Sequence, residues 1–270
     1  MGMTPPSRLS HNLQANPPVN AGGFHALIAK QGKEAGGVRY YQIAGLTVAM
    51  DTFGRTLAQA EPYAIGQWDS VDITVRSDWR ALQARQPHLL EEDCEYMATG
   101  SSFYRQLLGY QGMLLHASAV VAEGRAYLFT APSGTGKSTH TALWLKCFPD
   151  AVILNDDKPA IRLEGDGVYA YGTPWSGKTD CSCNLKVPLA GICVLRRGTE
   201  NQIRPYSGRG AVRDLLEQTV RPRDAELISN LLTVLDGVMS RVGIWEMECT
   251  MEREAAWMAY EAMSGRNGGQ

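Results

Sequence analysis

Short runs rich in β-branched and aromatic residues open the patterned part of the chain: VRYYQIAG, LTVAMD and VDITV, each about the length of a strand. Two helical patterns follow. SDWRALQARQ begins with the capping pair Ser77-Asp78, and SSFYRQLLGY places Phe103, Leu107 and Leu108 on one face behind Ser101. From Met113 the pattern changes. MLLHASAVVA and RAYLFT read as strands joined by the tight turn Glu123-Gly124, so they must pair antiparallel. A glycine-rich stretch, APSGTGKS, leads directly into a helix, STHTALWLKCF, whose stripe of Leu143, Trp144 and Phe148 ends at Pro149. AVILN is a strand ending in Asp156-Asp157, and KPAIRLE and VYAYG form a hairpin around EGDG. VPLAGICVL is apolar almost throughout, as in a strand buried on both faces. Helices over about 208–220 and 224–241, the strand IWEMEC and the helix MEREAAWMAYEAM complete the chain.

This reading divides the chain into a disordered arm over 1–22, rich in Pro, Asn and Ser, a smaller α+β region over 23–110, a core over 111–264 and a flexible tail over 265–270. The 23–110 region shows no cluster with site spacing and is read as packing, oligomerisation or acceptor recognition; a homo-oligomer is left open.

Composition narrows the function classes. The chain has 270 residues, 44% of them hydrophobic, and a formal charge of -2. It is long enough for a sizeable core, and it carries neither a global nor a local basic excess to attract nucleic acid or an anionic membrane. No window approaches the ~18 apolar residues of a membrane span. Six cysteines, of which only Cys181 and Cys183 are close together, do not make a disulfide scaffold. The expected protein is cytoplasmic, with reduced thiols.

The chemistry concentrates in APSGTGKST. Glycines let successive backbone N–H groups turn toward one centre, and the helix start adds partial positive charge there. Lys137 brings a full charge for terminal phosphates, and the Ser138 hydroxyl can reach Mg²⁺. Ala131 stands where this loop pattern usually has glycine. Ser133, Gly134, Thr135, Gly136, Lys137, Ser138 and Thr139 are therefore the candidate nucleotide-binding set, with a nucleoside triphosphate as the anion. One helix later come Asp156 and Asp157. One carboxylate there can hold Mg²⁺ while its neighbour, facing the other way, takes a proton from an attacking hydroxyl; the alternative is a turn that merely closes the strand. His116, on the strand before the loop, either faces the phosphates or is an ordinary core histidine.

LLHASAVVAEGRAYLFTAPSGTGKST followed by ILNDDKPAIR resembles the HPr kinase/phosphorylase and phosphoenolpyruvate carboxykinase superfamily, over roughly 113–163. The resemblance implies an α/β (α+β) fold whose kinase core is built on a mixed parallel/antiparallel sheet. By carry-over, ATP is the nucleotide, Lys137 and the loop hold its phosphates, Ser138 and Asp156 hold Mg²⁺, Asp157 is the base, and His116 touches phosphate or metal. The departures are specific. GTPWSGK replaces the stretch with the HPr kinases' metal-binding Glu, the late Arg has only Arg204 as a candidate, and the carboxykinases' substrate arginine has no counterpart. The expectation is a kinase with a hydroxyl acceptor, a serine of a small protein or peptide before a small molecule, and a nucleotide-binding switch or scaffold as the rival. In GTPWSGK, Trp175 and Lys178 are candidate acceptor contacts; the other reading of Trp175 is a buried anchor for its loop.

Overall fold

The computed structural model describes residues 37–67 and 69–265. The arm expected over 1–22, and all but the first residue of the tail, lie outside them.

The first sheet grows from a hairpin. β1 (Arg39–Ile43) and β2 (Leu46–Met50) pair around Ala44-Gly45, both at positive φ, the backbone that a two-residue hairpin turn needs. β3 (Ala64–Ile65) and β4 (Ile73–Val75) complete the order β3-β1-β2-β4. Helices α1 (Gly54–Ala60), α2 (Trp79–Arg85) and α3 (Glu91–Leu107) accompany it. α3 starts ten residues before the Ser101 expected from the sequence, so Ser101 and Ser102 are interior and cap nothing. Its buried stripe includes Glu95, Thr99 and Gly100 among Tyr96, Phe103, Tyr104 and Leu107, and those polar and small members hid the helical period. The real start is marked by Glu91, Glu92 and Asp93 at the positive end of the helix.

The second sheet has nine strands and is mixed. MLLHASAVVA, expected as one strand, divides at Leu115-His116 into β5 (Gly112–Leu114) and β6 (Ala117–Ala122). β6 pairs antiparallel with β7 (Arg125–Thr130), Ala117 opposite Thr130, around the Glu123-Gly124 turn, again at positive φ. After the glycine-rich loop comes α4 (Lys137–Cys147), then β8 (Val152–Asn155), β9 (Ala160–Glu164), β10 (Gly167–Tyr171) and the long β11 (Lys186–Arg197). β5-β9-β10-β11-β7-β6-β8 is the path of the sheet. β11 lies parallel to both β7 and β13 (Gly243–Cys249), and β12 (Gln202–Pro205) pairs with β13. Helices α5 (Gly208–Glu217) and α6 (Ala225–Met239) precede β13, and α7 (Arg253–Met263) follows it.

Alternation along the central hairpin creates two cores. Ala119, Val121, Ala126 and Leu128 face Leu215, Leu231 and Leu235 of α5 and α6. Val120, Ala122, Tyr127 and Phe129 face Leu143 and Trp144 of α4 and Ala256 and Tyr260 of α7. The result is a mixed α/β architecture with helices on both faces of the larger sheet. The third core joins the two sheets: Tyr41, Val48, Phe103 and Leu107 pack with Leu114, Ala160, Tyr171 and Trp175. The described residues fall within one compact unit. Among the described residues no helix is long and apolar enough to cross a membrane.

Candidate active site

The loop leaves β7 at Ala131 and becomes helix at Lys137. Gly134 has φ +79 and Gly136 φ +120, conformations that L side chains rarely adopt, and a Cβ added to either would meet nothing within 4 Å. The concave side of the turn is therefore open. Gly136 caps α4 without any side-chain hydrogen bond, which leaves the first-turn N–H groups directed at that opening. Ser133, Gly134, Ser138 and Thr139 are exposed, Thr135 and Gly136 are half-buried, and Lys137 is only 9% exposed. Its Nζ donates to the Ala131 carbonyl at 3.0 Å. Burial lowers the Lys137 pKa, and the charges of Asp157 and Asp156 oppose that shift. The loop and the carboxylate pair thus share one electrostatic neighbourhood. One turn on, His140 is a core residue: its ring lies 4.4 Å from that of Phe129, and burial pushes its pKa down to about 4.

Asn155 ends β8 and shapes the carboxylate turn. Its Oδ1 accepts from the backbone N–H groups of Asp157 (2.9 Å) and Lys158 (2.7 Å), while its Nδ2 donates to the Thr173 carbonyl at 3.0 Å. The sequence is a turn, and the turn splits the two acids. Asp156 accepts from Ser118 through Oδ1 and from Thr179 through Oδ2, the latter at 2.9 Å; Ser118 is 2.8 Å from Thr141 on α4. Asp157 turns the other way, with Oδ1 3.1 Å from His116 Nε2 and Oδ2 paired with Lys158. Burial would raise the Asp157 pKa, but the His116 hydrogen bond and the Lys158 charge outweigh it and hold the carboxyl at about 2.

His116 occupies the break between β5 and β6, its backbone N–H bonded to the Gln218 carbonyl at 2.7 Å. Its Nδ1 is 3.0 Å from the Gln218 side-chain oxygen. Whichever way that amide is turned, the Nε2 facing the carboxylate must carry a proton, so His116 donates to Asp157. The sequence left His116 either facing the phosphates or in the core; the structure shows it half-buried and paired with the Asp157 carboxylate.

The loop after β10 buttresses both acids. Gly177, at φ +74, lies so close to Asp157 that an added Cβ would fall 2.7 Å from the Asp157 Cβ. The first sheet's helices hold this loop in place. Gly177 N–H donates to the Tyr96 hydroxyl at 2.9 Å, and the Arg55 guanidinium donates to the Gly177 carbonyl and stacks 4.2 Å above the Tyr96 ring. Tyr104 is 2.8 Å from Thr173 and donates to the Lys158 carbonyl. Trp175 is 0% exposed, stacked on Phe103 at 4.9 Å, with Nε1 donating to Thr99 at 3.2 Å. It has no free face for an acceptor, so of the two sequence readings the acceptor contact is corrected and the buried anchor holds; a Cβ on Gly100 would fall 2.9 Å from its ring. Lys178 is exposed. Gly177→Ala combines an unfavourable backbone with a clash against Asp157. It is expected to cost about 1–3 kcal/mol, a fall of roughly 3–8 °C in the thermal midpoint. Calorimetric melting checks this, and an unchanged midpoint would show that the loop relaxes freely.

Polar contacts not foreseen include Ser118, Thr179, Gln218 and Arg197, together with Lys158 on Asp157 and Arg55, Tyr96 and Tyr104 behind the loop. Arg197 ends β11 and donates to the Gly134 carbonyl. Arg204, the sequence's candidate for a late arginine, is 72% exposed and paired with Glu246. The signal for Arg197 lies in topology, since β11 runs parallel to β7 and parallel neighbours end on the same side.

Residues 91–256, more than half of the chain, match the family described as SynChlorMet cassette protein ScmC. The chain belongs to the ScmC family. The ScmC-matching segment contains His116, Lys137, Asp156, Asp157, Thr179, Arg197 and Gln218, whereas Arg55 falls outside it. No curated protein matches the chain. Among solved structures, the Hpr(Ser) kinase/phosphatase from Coxiella burnetii is matched at 10% identity over 57% of this ScmC chain and 96% of that one, with a TM-score of 0.33.

Proposed function

We propose that this ScmC-family protein is an ATP- and Mg²⁺-dependent kinase that moves the terminal phosphoryl group to a hydroxyl, the acceptor being a serine of a small protein or peptide. One observation carries the reading: an open glycine turn with a buried lysine lies within electrostatic reach of two acids that face different ways.

Lys137 and the loop N–H groups bind the terminal phosphates of the substrate nucleotide. The exposed Ser138 hydroxyl and the Asp156 carboxylate are oxygen donors of the kind Mg²⁺ takes together with phosphate oxygens, and the cation neutralises phosphate charge when bound. Ser118 and Thr179 fix the rotamer of Asp156. Asp157 orients the acceptor hydroxyl and receives its proton. With its carboxyl near 2, it takes that proton late, as the acceptor oxygen bonds to phosphorus and becomes strongly acidic. His116 keeps Asp157 aimed through the Nε2 proton. The choice of adenine rests on the resemblance of the loop motif, and the cassette in the family's description directs the search for the acceptor to proteins encoded alongside.

The test incubates purified protein, Mg²⁺ and γ-labelled ATP with extract from its own cells and with peptides of the cassette. Alkali-labile label in protein, lost on phosphatase treatment, is the expected result. Full nucleotide binding with no label in any fraction would leave a switch or scaffold in place of a kinase.

A further inference from the structure

Beyond the loop and carboxylates, α5 presents a cleft of about 480 Å³ lined by Arg209, Val212, Arg213, Leu216, Glu217 and Arg221. Its floor is apolar: Val212 and Leu216 pack on the core beneath. Its rim sets three guanidiniums against one carboxylate. Arg213 is partly neutralised by Asp214 at 3.1 Å, while Arg209 and Arg221 are exposed, with no ion-pair partner among the described residues. Such a cluster repels itself and favours an anionic visitor.

The position of the cleft gives it meaning. Gln218, the residue after Glu217, caps α5 and holds His116 through both its backbone and its side chain. The helix that carries the cleft is therefore tied at its end to the pair His116–Asp157. Arg209 and Gln218 lie roughly 14 Å apart along the helix, and the relay from Gln218 through His116 to Asp157 adds about 8 Å, together the reach of about six residues of extended chain.

We infer that this cleft docks an acidic segment of the polypeptide acceptor, with acidic and apolar side chains alternating, within about six residues of the hydroxyl offered to Asp157. The inference names the substrate class and rests on the kinase reading. An apolar floor between charges suits peptide side chains better than a nucleic-acid backbone. The chain's own residues 1–36 carry Arg8, Lys30 and Lys33 against Glu34, so their charge is wrong for this site.

The test measures binding, which does not require catalysis. Fluorescein-labelled twelve-residue peptides are titrated with the full chain by anisotropy: one with Glu and Leu alternating about a single Ser, and one with Gln replacing every Glu. The acidic peptide should bind at least tenfold more tightly than the Gln peptide, and less tightly as salt rises. Arg209→Glu/Arg221→Glu should lose at least tenfold, Arg209→Lys/Arg221→Lys should keep binding, and both should bind ATP as the parent does. Equal affinity for the two peptides, equal binding by the Glu double variant, or tighter arginine-dependent binding to phosphatidylserine vesicles or RNA would overturn the inference. Acidic-peptide binding by a chain that transfers label to no acceptor, in peptide or extract, would sustain the docking site and remove the kinase.

Discussion

Lys137→Ala is expected to lower ATP affinity at least tenfold and phosphoryl transfer by roughly a thousandfold, the scale of losing one preorganised charge from a water-poor site. Transfer of this kind relies on positioning and on neutralising charge spread over phosphate oxygens. In this chain the lysine is buried at the start of α4, folded over the Ala131 carbonyl and within the field of Asp156 and Asp157. No other lysine lies in the loop. Alanine is the best helix former and should leave α4 intact. Calorimetric titration with Mg-ATP, together with the labelled-transfer assay, separates loss of binding from loss of folding. Undiminished transfer would mean that the loop's charge serves something other than phosphate.

Asp157→Asn should behave differently. Nucleotide affinity is expected to stay within a few-fold, while transfer falls roughly 10²–10⁴-fold because the amide cannot take the acceptor proton. The same variant exposes a stability term. The folded-state pKa of Asp157 lies below its unfolded value, from 3.8 to about 2. Its contribution is therefore fully present above pH 4 and disappears as pH falls through about 2; the shift corresponds to about 2 kcal/mol. Urea midpoints of parent and variant should be furthest apart at pH 5 and above, draw together as pH falls toward 2, and converge only below the folded-state value of about 2. A constant gap would show that the pairing with His116 and Lys158 does not carry the difference.

The loop, the hairpin before it and the acid pair after it were legible because each is specified locally. Glu123-Gly124 supplies the turn, Gly134 and Gly136 the positive φ values, and Asn155 the side chain that bends the chain behind β8. What escaped depends on partners distant in sequence. Arg197 reaches the loop only because β11 lies beside β7, and Gln218 meets His116 only because α5 ends beneath the β5–β6 break. That break itself is invisible in a run that reads as one strand, since it arises where Leu115 bonds to Pro159 and His116 to Gln218. α1 and β12 were also unforeseen, both short and weakly patterned.

The grip of Arg55, Tyr96 and Tyr104 on the segment behind the acids has a practical corollary. A shortened chain beginning near residue 111 would keep the glycine-rich loop and both acids, yet the side chains that hold the segment behind them would be gone. The geometry of the acid pair is thus a property of both sheets together.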